Sequence, residues 1–161
     1  MPRVRAEIQR LCNLHGRDCV ALPVAAADGN GRRGIRTAEV MIQDEKDKLI
    51  ALFDDERRWC RGNDASDLDG HAVHYDDAQA VSWDLVGGLC HLFGWKRACK
   101  LFEPLSRHVA GRRAAKWSVK NLEISAMTSL LDFNDNHDTT HELVMARLRG
   151  MPVWHGRGQP I

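Results

Sequence analysis

The sequence predicts an all-α or mainly α fold, a compact bundle of five or six helices. Three observations lead there. Apolar residues recur at helical spacing over most of the chain from residue 37 to 150. Residues of the capping type stand at the starts of these runs, and glycines stand at their ends. Strand-like patterning is confined to a short arm and to one small hairpin near residues 63–75.

Val4, Ile8, Leu11 and Cys12 share one helical face, and Gly16 ends that helix. Cys19 to Ala25 reads as a short strand or an extended arm, and Pro23 limits it to a sheet edge. Gly29-Asn-Gly-Arg-Arg-Gly34 is a linker. Residues 1–35 are therefore expected to be an N-terminal helix and arm, 36–154 a helical domain, and 155–161 a disordered tail.

Within the domain, a helix is expected from Thr37 or Asp44 to Arg58, with Leu49, Ile50, Phe53 and Arg57 in register. Asp44 and Glu45 suit its start, and Arg57 and Arg58 its end, by the helix dipole. Gly70 centres the hairpin, with His71 to Tyr75 as one arm. Asp76 and Gln79 resemble a capping box, so the central buried helix is expected to run from Asp77 to Phe93. Its Gly87-Gly88 pair costs about 1 kcal/mol per glycine against alanine, which is tolerated where another element crosses close to the backbone. Gly94 stops this helix, and Trp95 to Val109 forms the next. Asn121 caps a helix bearing Leu122, Ile124, Met127 and Leu131. Thr139 and Glu142 have capping-box spacing, so Thr139 is expected to start the last helix, which Gly150 and Pro152 close.

The chain has 161 residues and a net charge of +1, so the total calls for neither nucleic acid nor membrane. The distribution is uneven. Residues 44–80 hold 11 acidic and 5 basic side chains, whereas residues 81–120 hold 8 basic and 2 acidic. These segments either form a two-signed surface or neutralise each other. Five cysteines without a C-x-x-C pair fit a reducing cytoplasm and no disulfide framework. The start has no apolar signal region. The longest uncharged apolar stretch, Leu85 to Trp95, is too short to span a membrane.

The pieces Trp59-Cys60-x-Gly62, Asp69-Gly70, Ala80-Val81-x-Trp83, Leu85-x-Gly87-Gly88-Leu89, Ile124-Ser125, Phe133-Asn134-Asp135 and Thr139 with Glu142 follow one another in order. In that order they resemble a family of small bacterial and phage domains of unknown function, over residues 45–150. The resemblance implies a compact helical fold and a bacterial or phage source, and it implies no activity. Phe133 stands where the pattern has tryptophan, and the first forty residues have no counterpart.

Candidate chemistry is sparse. Asp67-x-Asp69-Gly70 with Asp76 imitates part of a calcium loop, but Ala65 occupies the first ligand position. Turn chemistry accounts for the same residues. Cys60, His71 and His74 are the candidate ligands of a structural metal, and His137 and His141 have ligand spacing that the cap at Thr139 breaks. Asp135 with His141, next to Glu142, is the candidate acid–base pair of a small hydrolase. The same residues are accounted for as helix ends and caps. Arg107, Arg112, Arg113 and Lys116, with Trp117 among them, are the candidate nucleic-acid surface. Trp59 stands at an element end, where a partly exposed indole suits a protein interface.

No phosphate loop, nucleophile elbow or dinucleotide fingerprint is present, and no cofactor is expected. The leading expectation is a non-enzymatic interaction or regulatory protein of bacterial or phage origin that binds another macromolecule, a protein before a nucleic acid, through its two-signed surface. A nucleic-acid binder using residues 107–120 and a hydrolase centred on Asp135 and His141 are the alternatives.

Overall fold

The computed structural model describes residues 41–109 and 122–153. The expected N-terminal helix, arm and linker, the cap at Asn121 and the tail lie outside these residues. The described part is mainly helical, as expected, with one small sheet.

Helix α1 spans Gln43–Phe53. The Ile42 N–H donates to Glu45 Oε2 at 3.1 Å, which is half of a capping box. Leu49, Leu52 and Phe53 are buried. The helix stops at Phe53 rather than at Arg58. Asp55 intervenes: its Oδ1 accepts from the Arg57 N–H at 3.0 Å and opens a 3-10 turn over Glu56–Arg58. A short carboxylate that bonds the nearby backbone competes with the helix in this way.

Three two-residue strands follow, β1 Ala65–Ser66, β2 Ala72–Val73 and β3 Ser82–Trp83. They form an antiparallel sheet in the order β2-β1-β3. The expected hairpin is the β1–β2 pair. Its turn is fixed by the Gly70 N–H on the Asp67 carbonyl at 3.1 Å, with Gly70 at φ 80°. The third strand was not expected. It falls inside the helix predicted from Asp77, which begins instead at Leu85. Asp76 does not cap a helix: its carboxylate bonds the His74 ring, and the Gln79 N–H goes instead to Asp77 Oδ1 at 2.9 Å in a local turn. The chain then pairs Val81 N–H with the Ser66 carbonyl at 2.9 Å. The isolated bridge Trp59–Trp83 lies at the edge of the sheet.

Helix α2 spans Leu85–Val109 and is broken at Gly94, which has φ 71° and ψ 157°. The break lies where the sequence predicts one helix to stop and the next to start. Helix α3 spans Leu122–Asp135 and α4 spans His141–Gly150. With the broken rod taken as one element, the described residues hold four α-helices, fewer than the five or six expected.

Helices α2 and α3 make the largest packing contact, and α4 lies against α1. Leu85, Leu89, Leu101, Phe102 and Leu105 of α2 are buried with Met127 and Leu130 of α3. Each such side chain contributes about 1.5–3 kcal/mol by leaving water. The glycine pair marks the expected close approach. A Cβ on Gly87 would stand 1.8 Å from the Asp64 carbonyl oxygen, and one on Gly88 2.6 Å from Phe53 Cζ.

Helix α4 is held at both ends. Its cap is Thr140, not Thr139: Thr140 Oγ1 accepts from the Leu143 N–H at 3.3 Å. Thr139 is buried, and its hydroxyl donates to the Phe133 carbonyl at 2.6 Å, closing the corner after α3. At the other end, Lys46 Nζ donates to the Arg149 and Met151 carbonyls at 2.7 and 2.6 Å. His108 Nε2 donates to the Arg147 carbonyl at 2.9 Å. These donors satisfy carbonyls that a helix end leaves open.

Candidate functional site

The densest polar constellation gathers around Asn134, which is 0% exposed. Its Oδ1 accepts from Trp59 Nε1 at 2.8 Å and from the Leu85 N–H at 3.4 Å. Its Nδ2 donates to the Cys60 carbonyl at 3.0 Å and to Asp135 Oδ1 at 3.2 Å. The amide thus uses both acceptor positions and both donors. One side chain joins the 59–62 loop, the start of α2 and the end of α3.

The neighbours extend the same network. Asp135 Oδ1 also accepts from the Gly62 N–H at 2.8 Å. Gly62 has φ 75°, a conformation that suits glycine. Arg61 donates to the Thr139 carbonyl, and its guanidinium carbon lies 4.8 Å from the centroid of the Trp59 ring. His141 Nε2 donates to the Phe53 carbonyl at 2.7 Å, and its ring centroid is 6.2 Å from that of Trp59.

Beneath the loop lies Asp84, 1% exposed, which caps α2. Its Oδ1 accepts from the Gly87 N–H at 2.5 Å. Burial pushes its carboxyl well above the usual range, against the Gly87 and Val86 amides, which lower it, and Asp64 and Asp135 push it further. Burial also raises the Cys60 thiol to about 12, with Asp84 adding to the effect. A thiol held protonated in this way is a poor nucleophile at neutral pH.

The hydrolase candidates lie near this network, but their hydrogen bonds lead to different places. Asp135 receives Gly62 and Asn134. His141 is spent on the Phe53 carbonyl. Glu142 is exposed, and a hydrogen bond from Thr140 holds its carboxyl below the usual range.

The metal candidates are not brought together. His74 Nδ1 bonds Asp76, and Cys60 Sγ donates to the Asn63 carbonyl at 3.5 Å. His71 instead joins Asp67 and Asp69, with potential ligand atoms within 4.8 Å of one another. That set is a hairpin turn: Asp67 Oδ1 accepts from the Asp69 and His71 amides at 3.0 and 2.8 Å. His71 Nδ1 lies 3.4 Å from Asp67 Oδ2.

Of the basic candidates, Arg107 is exposed and pairs with Glu103 one turn earlier. Arg112, Arg113, Lys116 and Trp117 lie outside the described residues. The acidic and basic segments pack against each other through β1 on β3 and through the glycine pair on Asp64 and Phe53, and an ion pair joins them where Arg97 Nε and a second guanidinium nitrogen grip Glu45 at 2.7 and 2.8 Å. The charges are therefore partly neutralised within the fold.

Asp84 and Arg61 were not singled out from the sequence. Asp84 had a readable signal, a capping residue three positions before Gly87 and directly before an apolar run. Arg61 had none.

Among the described residues, no helix is long and apolar enough to cross a membrane. Comparison with curated proteins and with solved structures returned no match. Residues 47–151 match the model of a family of unknown function, DUF6197, and the chain belongs to that family.

Proposed function

We propose that this domain is a non-enzymatic interaction module that binds another protein, in the cytoplasm of a bacterial or phage-infected cell. The observation that carries this reading is the full use of Asn134 inside the fold. The polar residues that looked most chemical are spent on joining loops to helices. Asp135, Thr139 and His141 follow the same pattern. The half-buried Trp59, with Arg61 over its ring, offers the type of aromatic and guanidinium surface that anchors protein partners. Cysteines outside any disulfide at positions 60, 90 and 99 suit a reducing compartment.

The test is capture from a lysate of the native host on the immobilised full chain, with and without nuclease, followed by mass spectrometry. The expected result is a protein retained after nuclease treatment and lost with Arg61→Glu. Capture that nuclease abolishes, with retention on heparin that falls when Arg112 and Arg113 are changed to alanine, replaces this reading with nucleic-acid binding. Hydrolysis of a model ester that Asp135→Asn abolishes replaces it with the hydrolase.

A further inference from the structure

We propose that the junction between the 60–64 loop and the start of α2 is a proton-linked latch, closed while Asp84 is protonated and loosened when it ionises. The geometry is that of a packed joint with a carboxyl at its centre. The Asp84 N–H donates to the Asp64 carbonyl at 3.3 Å. Gly87, on which Asp84 Oδ1 closes, presses against that same Asp64 carbonyl so tightly that no Cβ fits between them. The Cys60 N–H donates to the Trp83 carbonyl at 3.0 Å, so the loop is fastened on both sides of Asp84.

The groups that act on Asp84 can be named element by element. From the loop come the Asp64 carboxyl and the Cys60 thiol. From the end of α3 comes Asp135. From its own helix come the Val86 and Gly87 amides, which favour the ion. Ser66 and Ser82, from β1 and β3, are neutral and bond the Cys60 thiol. Both carboxyls oppose a third negative charge, and burial opposes it more strongly. Asp64 and Asp84 are themselves buried.

The sign follows from linkage. The folded state holds the Asp84 proton more tightly than the unfolded chain, whose ordinary value is 3.8. The stability this supplies is fully present below that value and is lost as pH rises through the folded value. Ionisation can be relieved locally, because lifting the 60–64 loop readmits water to the carboxylate. That movement takes Cys60, Arg61 and Gly62 with it, and so alters the face that carries Trp59.

The test is amide hydrogen exchange and urea unfolding of the full chain across the neutral range, for wild type, Asp84→Asn and Asp84→Ser. Both variants keep a capping side chain and lose the charge. After correction for intrinsic exchange, protection in segments 60–64 and 85–88 is expected to fall by up to about tenfold per pH unit in wild type. It is expected to stay level in both variants. Histidine titration is common to all three chains and cancels in the comparison. Equal slopes in wild type and variants overturn the latch. If neither variant folds, the carbon-13 carboxyl resonance of Asp84 in wild type decides. Titration well above the ordinary carboxyl range supports the latch, and titration within that range overturns it.

Discussion

The indole N–H of Trp59 meets the side-chain oxygen of Asn134 at 2.8 Å, across 75 residues of sequence. The same oxygen receives the first amide of α2. Replacing Asn134 with alanine leaves the Trp59 indole N–H, the buried Leu85 N–H and the Cys60 carbonyl without that partner. A buried group left unsatisfied costs about 1–3 kcal/mol, so Asn134→Ala is expected to cost about 3 kcal/mol or more in urea unfolding. Asn134→Asp is expected to do no better, because it turns the donor facing Cys60 and Asp135 into an acceptor. Trp59→Phe removes one donor and is expected to cost about half as much. Equal and small losses for all three would show that the network adds little to stability.

The two adjacent glycines of α2 should respond differently to alanine. At Gly87 the new methyl meets backbone, the carbonyl of Asp64, which cannot swing aside. At Gly88 it meets the end of the Phe53 ring, which can. Gly87→Ala is expected to cost more than about 3 kcal/mol, and Gly88→Ala about 1–2 kcal/mol. Gly94→Ala meets nothing, but its φ of 71° is strained for an L-residue, at about 1–3 kcal/mol. Thermal or urea unfolding of the three variants checks the order.

The two threonines before α4 have separate duties. Thr140→Ala removes a helix cap and is expected to cost about 1 kcal/mol, while Thr140→Ser is close to neutral. Thr139→Val removes a buried hydroxyl that donates to Phe133, and Ser at that position keeps the donor. If Thr139→Ala were the change rescued by a capping residue, the helix would start one position earlier than the structure places it.

Acid should unfold the domain partly through Glu45. Its hydrogen bond from Arg97 holds its carboxyl below the ordinary 4.5, with burial acting in the opposite direction. A depressed folded value means that the stability is present above 4.5 and is lost as pH falls through the folded value. Arg97→Met is expected to flatten the acid limb of a urea-midpoint profile, and Glu45→Gln to flatten it equally. A limb unchanged in both variants would assign acid unfolding to other carboxyls.

Much of this architecture was legible in the sequence, because helix periodicity and glycine punctuation are local. Leu49 and Phe53, the stop at Gly94 and the crossing at Gly87-Gly88 all follow from spacing. The errors share a cause. Asp76 and Thr139 each carry the side chain of a capping residue, yet one bonds the His74 ring and the other the Phe133 carbonyl of the preceding helix. A short polar side chain announces that it will bond nearby backbone, and tertiary packing decides which. Strand β3 was hidden because two residues are too few to show alternation. The Asn134 network was hidden because its partners other than Asp135 lie 49 to 75 residues away.

The placement of Asn134 bears on how the chain acquires its shape during synthesis. A nascent chain that ends before residue 134 has made the tryptophan loop and the glycine-rich rod but lacks the amide that ties them. Those two pieces are therefore expected to stay loosely ordered until about the last fifth of the domain emerges. Contacts of such long sequence separation form late and slow the overall rate. Proteolytic fragments cut between the two long rods are accordingly expected to reassemble only as a pair, neither half being native by itself.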